Sequence, residues 1–250
     1  MHHDAAAQIV ARAQAEDVDG LLVLGDNVYP TGAASANDPA FATLYEQPFA
    51  ALTATHSFYV VLGNHDVLTS NGQPELDYAT THPYWVQPAR YYERHLERTC
   101  LLGLDTNQAD VDATQLAAVS SGCANDVTLL HRVAFGHHPV YSSGTHGLNN
   151  DEPWMDAQVR PALEQLGVNF YLSGHDHDFE AIVPQASGIN YIISGGASQL
   201  RPIAASAQSL HAFSDYHFGK LELYTRYADL TVYGEDGSVR WTHRYDLPTS

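Results

Sequence analysis

The chain has 250 residues, a formal net charge of −18 and a single lysine, Lys220. So acidic a chain is poorly suited to a nucleic-acid backbone, and no stretch approaches the roughly 18 consecutive apolar residues of a membrane span. The length suits one large domain over residues 1–250, and the acidity suits a salt-tolerant or secreted surface; a monomer is expected.

Residues 4–16 have amphipathic helical spacing with Asp4 as a cap, and do not resemble a signal peptide. The run Leu21–Leu24 is expected as a strand, followed by a helix over 38–51 with Asp38 and Pro39 at its start. A strand over 58–62 precedes a long loop, 67–92, whose aromatics Tyr78, Tyr84, Trp85 and Tyr91 suggest an ordered flap that shapes substrate choice. A strand at 99–104, a helix at 112–119 and a strand at 127–135 follow, then a helix over 152–166 beginning after Glu152-Pro153. Strands are expected at 168–172, 179–183 and 190–194, and the tail alternates apolar and polar residues over 218–225, 228–233 and 238–245. Cys100 and Cys123 each lie near the start of a strand-like run. Both are expected as free buried thiols; the alternative is a disulfide, which implies an oxidising compartment.

Four of the strand-like runs end in short motifs: Gly25-Asp26-Asn27-Val28-Tyr29, Gly63-Asn64-His65-Asp66, Gly136-His137-His138-Pro139 and Gly174-His175-Asp176-His177. In an open α/β sheet, ligands bind outside the carboxyl ends of the strands. Four such loops could therefore bring Asp26, Tyr29, Asn64, His137, His175 and His177 to one pocket. Oxygen and imidazole donors without a thiolate suit Fe, Mn, Zn or Ni. A carboxylate can bridge two ions, and such pairs clamp the attacking and leaving oxygens of a phosphate ester.

The four motifs, in this order, resemble those of the calcineurin-like metallophosphoesterases. Tyr29, three residues after Asp26, narrows the resemblance to the purple acid phosphatase branch, and GDNVYPTG, GHHPVYSSGTHG and YLSGHDHDFE are similar to its small, tartrate-resistant type and bacterial relatives. The resemblance extends to about Gly196 and weakens beyond it. It implies an α/β fold, a four-layer sandwich of two mixed sheets flanked by helices. It implies two metal ions, Fe(III) with Fe(II), Zn or Mn. Asp26 would bridge them, Tyr29 would bind the ferric ion as phenolate and give colour, and His177 would join it on the iron side. Asn64, His137 and His175 would hold the second ion.

By the same resemblance, His65, oriented by Asp66, would donate a hydrogen bond to a phosphate oxygen. His146 would bind substrate and protonate the leaving alkoxide. His138 is either a support for the ligands or polar filler. The other histidines (His56, His82, His95, His131, His211, His217 and His243) carry no motif and are expected to be structural or surface residues. The implied activity is direct hydrolysis of small phosphate monoesters, an acid phosphatase without a covalent phosphoenzyme, in a secreted or periplasmic protein. The alternatives are a phosphodiesterase of the same superfamily, which generally lacks a tyrosine at the position of Tyr29, and a metal-deficient binding or scaffold member.

The chain departs from the family pattern in one respect. The family's Asp-x-Gly motif, which ends the first strand and adds a ligand on the iron side, is absent. The expectation is an N-terminally incomplete catalytic domain lacking that strand; substitution of the ligand by His2, His3 or Asp4 is the alternative.

Overall fold

The computed structural model describes residues 3–107, 115, 117, 122–123, 126–149, 151–184 and 187–247. A seven-stranded mixed sheet, in the order β10-β8-β9-β7-β6-β5-β4, forms one side of a sandwich. Its strands are β4 (Tyr92–Leu96), β5 (Thr99–Gly103), β6 (His131–Phe135), β7 (Phe170–Ser173), β8 (Phe179–Ile182), β9 (Asn190–Ser194) and β10 (Ser209–Phe213). The pairs β5–β6, β6–β7 and β7–β9 are parallel.

The facing side carries two three-stranded sheets. One is the parallel set β1 (Leu21–Val23), β2 (Phe58–Val60) and β3 (Trp85–Val86). The other is the antiparallel set β11 (His217–Leu223), β12 (Tyr227–Gly234) and β13 (Val239–Asp246). The expected single mixed sheet on this side is therefore divided. Among the described residues, β1 pairs only with β2 and β11 only with β12, so no backbone ladder joins the two sets.

Period-two alternation explains the layers. In the seven-stranded sheet, Leu101, Val133, Phe135, Phe170 and Ile192 face the inter-sheet core, where they meet Tyr59 of β2 and Ala228, Leu230 and Val232 of β12. Their neighbours Cys100, Leu102, Ala134, Tyr171, Tyr191 and Ile193 face the opposite way, against Met155, Val159 and Leu163. On the other side, Phe58 and Val60 of β2 pack outward against Phe41, Tyr45 and Phe49 and against Ala6 and Ala13 of α1 (His3–Ala15). Both faces of the central strands are covered, as their near-continuous apolar sequence requires.

The helix expected over 38–51 opens as α2 (Pro39–Phe41), with Asp38 capping the amide of Ala40 at 2.9 Å, and then widens into a π-type turn over Ala42–Glu46. A second π-type turn, Met155–Val159, leads into α5 (Arg160–Gln165), within the segment expected as a helix over 152–166. In both cases the i→i−5 bond is made by the residue just before a proline: Gln47 before Pro48 and Arg160 before Pro161. Proline lacks the N–H and crowds the carbonyl four residues back, so the wider turn relieves the clash.

Residues 67–92 are not a flap. They form short 3₁₀ turns, α3 (Gln73–Ala79) and β3. Tyr78, Tyr84 and Trp85 are buried, and Phe41 stacks on Tyr78 at 3.9 Å between centroids. The large apolar area of these rings is better buried than displayed, which is why an aromatic-rich stretch without clear periodicity became core. Besides α3 and β3, the short elements unpredicted from sequence are β4, β10 and α4 (Thr145–Asn149). The strand expected from 127 begins at His131. Most of the helix expected at 112–119 lies outside the described residues, as do His2 and the side chains of His3 and Asp4.

Cys100 and Cys123 are joined by a disulfide, correcting the free-thiol expectation; their Cα atoms are 6.2 Å apart, well within bridging range.

Candidate metal centre

The four motif loops leave the carboxyl ends of two parallel pairs: β1 and β2 in one sheet, β6 and β7 in the other. Two close approaches let them converge. Gly25 has φ +86° and lies against the His137 ring, where a Cβ would stand 2.6 Å from Nδ1. A Cβ on Gly63 would collide with the backbone nitrogen and Oδ1 of Asp26. Only glycine fits at either position.

Asp26 and His175 both adopt left-handed backbone conformations, with φ of 55° and 66°. For residues with a Cβ this costs roughly 1–2 kcal/mol each. The strain sits on two of the candidate ligands and fixes the direction of their side chains, as it often does at functional sites.

The two oxygens of Asp26 face different groups. Oδ2 accepts a hydrogen bond from the Tyr29 hydroxyl at 2.7 Å, and that hydroxyl lies 3.1 Å from His177 Nε2. Oδ1 lies 3.3 Å from His137 Nε2 and accepts from the His65 amide at 3.0 Å. Around His137 Nε2 gather Asn64 Oδ1 at 3.0 Å and His175 Nδ1 at 3.1 Å, and the last two are 3.1 Å apart. The six expected donors thus form two groups sharing one carboxylate.

These spacings fit metal ions. Donors at right angles and about 2.1 Å from one ion stand about 3.0 Å apart. The orientation of the rings fits as well. His137 Nδ1 lies 2.8 Å from the Leu24 carbonyl, which requires a proton there. That leaves the Nε2 lone pair aimed at the oxygens of Asn64 and Asp26, an arrangement that calls for a cation. On the other group, His177 Nδ1 is buried without a partner.

The titration directions describe the centre without a metal. Burial opposes ionisation of Asp26, yet His137, Tyr29 and the His65 amide outweigh it and hold the carboxyl far below its ordinary range. Burial would lower His137, but Asp26 beside it raises it. Burial, aided by the positive charge of Arg201, pushes His177 down to about 4. Burial and the adjacent Asp26 push the Tyr29 phenol up, so a phenolate there would need a strong Lewis acid.

The other expected site residues lie around this core. His65 Nδ1 is 2.6 Å from the Pro30 carbonyl, and Nε2 turns toward Asp26 Oδ2 at 4.0 Å. Asp66 does not orient it, contrary to expectation. Its buried carboxylate instead accepts the amides of Asn27 (2.8 Å), Val28 (3.1 Å) and Gly63 (2.7 Å), clamping the first two motif loops together. His146 lies over His175, with ring centroids 3.9 Å apart, and its Nδ1 faces Asp151 at 2.9 Å. Asp176 holds the His146 loop through the His146 amide at 3.1 Å and the Ser142 hydroxyl at 2.5 Å. His138 is buried, contacts Thr106 at 2.9 Å and packs its ring against His175 at 4.6 Å; burial keeps it well below the ordinary histidine range. It supports the site rather than filling space.

Sequence reasoning missed two residues here. Glu152 Oε1 lies 3.1 Å from His175 Nε2, so it pins the proton there and frees Nδ1 as the donor. Arg201 places its guanidinium 2.5 Å from His146 Nε2 and donates its amide to the His177 carbonyl at 3.0 Å. A search of every strand end for loops would have found Arg201, because Gly195-Gly196 directly follows β9. Glu152 carried no signal beyond a helix start. A separate cluster, Glu93, His95, Cys100 and Cys123, lies at the edge strand β4 and its neighbour β5, but its sulfurs are tied up in the disulfide.

The model of the family described as calcineurin-like phosphoesterase matches residues 1–179. Tartrate-resistant acid phosphatase type 5 of Homo sapiens is 24% identical over 261 residues, covering 94% of this chain and 79% of the relative. The same enzyme of Rattus norvegicus is 28% identical over 240 residues, covering 86% and 72%. Among solved structures, GAP50, the anchor in the inner membrane complex of Plasmodium, superposes with a TM-score of 0.80 at 20% identity, over 100% of this chain and 86% of that one. A purple acid phosphatase from yellow lupin seeds superposes with a TM-score of 0.77 at 16% identity, over 98% and 49%. The structural likenesses establish a shared fold, and the family model, covering both sheets' motif loops, establishes kinship: the chain belongs to the calcineurin-like phosphoesterase family.

Proposed function

We propose that this protein is an acid phosphatase that hydrolyses small phosphate monoesters at a binuclear metal centre. The observation that carries this reading is the division of Asp26, with Oδ2 toward Tyr29 and His177 and Oδ1 toward His137. On this reading Asp26, Tyr29 and His177 hold a ferric ion. Asp26, Asn64, His137 and His175 hold Fe(II), Zn or Mn. When bound, such a pair supplies a nucleophile derived from water and neutralises charge on the phosphoryl oxygens.

The remaining groups are the chain's own contribution. His65, whose Nδ1–H is fixed to the Pro30 carbonyl, presents Nε2 to the phosphoryl oxygens, to which it donates as an imidazolium. His146, braced by Asp151 and by the Asp176-anchored loop, stands on the leaving-group side; as proton donor it would act through a protonated Nε2 turned from Arg201 to the leaving oxygen. Glu152 and Leu24 hold the tautomers of His175 and His137 that leave lone pairs facing inward. We place the whole activity in one monomeric domain. The disulfide supports a secreted or periplasmic location, and no helix of the described residues is long and apolar enough to cross a membrane.

A scaffold reading draws on the likeness to the Plasmodium anchor protein. Shared fold does not carry shared function, and six converging donors favour catalysis. The test is the ratio of kcat/KM for phenyl phosphate over bis(phenyl) phosphate in the metal-loaded protein. A preference for the monoester is expected. A preference for the diester would favour the phosphodiesterase alternative, and no hydrolysis of either would favour the scaffold.

A further inference from the structure

Arg201 is the one described guanidinium at the edge of the metal centre, and among the described residues it has no acidic partner within ion-pair reach. Five of the other nine arginines are neutralised, Arg12 by Glu16, Arg90 by Asp105, Arg160 by Asp156, Arg240 by Asp215 and Arg244 by Asp229; of the arginines without such a partner, Arg201 is the one that contacts the site residues. Arg201 instead spends one nitrogen, NH1, on the imidazole of His146. A guanidinium has five N–H donors in a planar fork. Most of that fork therefore remains for another acceptor. Its base is fixed, because the Arg201 amide is bonded to the His177 carbonyl at 3.0 Å.

Position defines what the fork can read. The scissile phosphoryl group belongs over the donors that surround Asp26. His146 lies over His175, and Arg201 reaches His146 Nε2 from a backbone bonded to the His177 carbonyl. An acceptor on Arg201 is thus on the leaving-group side. In a chain of net charge −18 with eleven lysines and arginines in all, an anionic leaving group is otherwise repelled. A half-buried, uncompensated guanidinium at this point would reverse that repulsion locally.

We propose that Arg201 is a specificity-determining residue that binds an anionic group carried by the leaving group, so that the preferred substrates are phosphate monoesters bearing a carboxylate or a second phosphate near the ester oxygen. This rests on the phosphatase reading above. Arg201 binds the second anion through two parallel N–H donors, a geometry that lysine does not reproduce.

The experiment uses the metal-loaded protein with phenyl phosphate and 3-carboxyphenyl phosphate, and, for a phosphate in place of the carboxylate, propyl phosphate and propane-1,3-diyl bisphosphate. The wild type is expected to favour the charged member of at least one pair in kcat/KM by roughly tenfold or more, the size of one charge-assisted hydrogen bond. Which pair shows the preference identifies the anion. Arg201→Gln should collapse that preference at least tenfold with metal content retained, and Arg201→Lys should restore part of it. A wild type with no preference in either pair, or an Arg201→Gln variant that keeps it, would overturn the proposal. Calorimetric binding of phenylphosphonate and 3-carboxyphenylphosphonate, with propylphosphonate and propane-1,3-diyl bisphosphonate for the second pair, reads the same selectivity without turnover. If neither ester is hydrolysed but the charged phosphonate binds tighter in an Arg201-dependent way, the phosphatase reading fails and the anion subsite stands.

Discussion

Replacing Glu152 separates a ligand-orienting role from a merely structural one. Its carboxylate meets His175 Nε2 at 3.1 Å, and the two side chains are 12% and 6% exposed, so solvent screens the contact little. Burial alone lowers His175, and Glu152 works in the opposite direction. The carboxylate fixes the proton on Nε2, keeps Nδ1 free to bind and increases the basicity of the ring. Loss of such a partner typically weakens metal binding 10- to 100-fold, about 1.4–2.7 kcal/mol. Glu152→Ala, which removes both the charge and the acceptor, should approach the upper figure. Glu152→Gln keeps a carbonyl acceptor for Nε2–H and should stay near the lower. The assay is competition for Zn between the protein and a chromogenic chelator, with thermal unfolding measured alongside. An affinity of Glu152→Ala within twofold of the wild type, or a Gln variant weaker than the Ala variant, would refute the reasoning.

Three further outcomes are expected. Asp66→Ala leaves the buried amides of Asn27, Val28 and Gly63 without their acceptor, and should lower stability to urea by about 3 kcal/mol or more; a loss under 1 kcal/mol would dismiss the clamp. Asp178 is fully buried, neither oxygen has a partner, and burial with Asp176 and Glu180 raises it to about 8. Between its unfolded pKa near 4 and that value the native state holds a proton the unfolded state lacks, so stability falls as pH rises, by up to ~1.4 kcal/mol per pH unit. Asp178→Asn in chelator-treated protein should flatten this slope in unfolding midpoints from pH 4.5 to 7.5, and an unchanged slope would place the proton elsewhere. His146→Ala should keep the bound metals and lose turnover by about 10²–10⁴-fold; release of a metal would make His146 a ligand instead.

The sequence made the donor set legible because each motif follows a strand, and strand ends are where an α/β sheet collects its ligands. What it could not convey is which loops are held together by what. The resemblance implies that Asp66 orients His65, yet its oxygens turn inward to three amides because buried N–H groups need acceptors. Glu152 and Arg201 act across separations of 23 and 55 residues, which no local pattern encodes. The aromatics of 67–92 were misjudged for a similar reason. Their stacking partner, Phe41, lies in a helix upstream, and only the tertiary fold reveals it. The division of the smaller sheet side follows from strand pairing alone, again a long-range property.

The central claim is that Asp26 and five side chains around it hold two ions that drive phosphate ester hydrolysis. The most direct measurement titrates chelator-treated protein with Fe and Zn while recording phenyl phosphate hydrolysis and the visible spectrum against metal bound per folded chain. The account predicts that activity saturates at two ions per chain and that a visible band, lost in Tyr29→Phe, accompanies the iron. Hydrolysis that survives chelation, or a chain that binds no metal while folded, would contradict it.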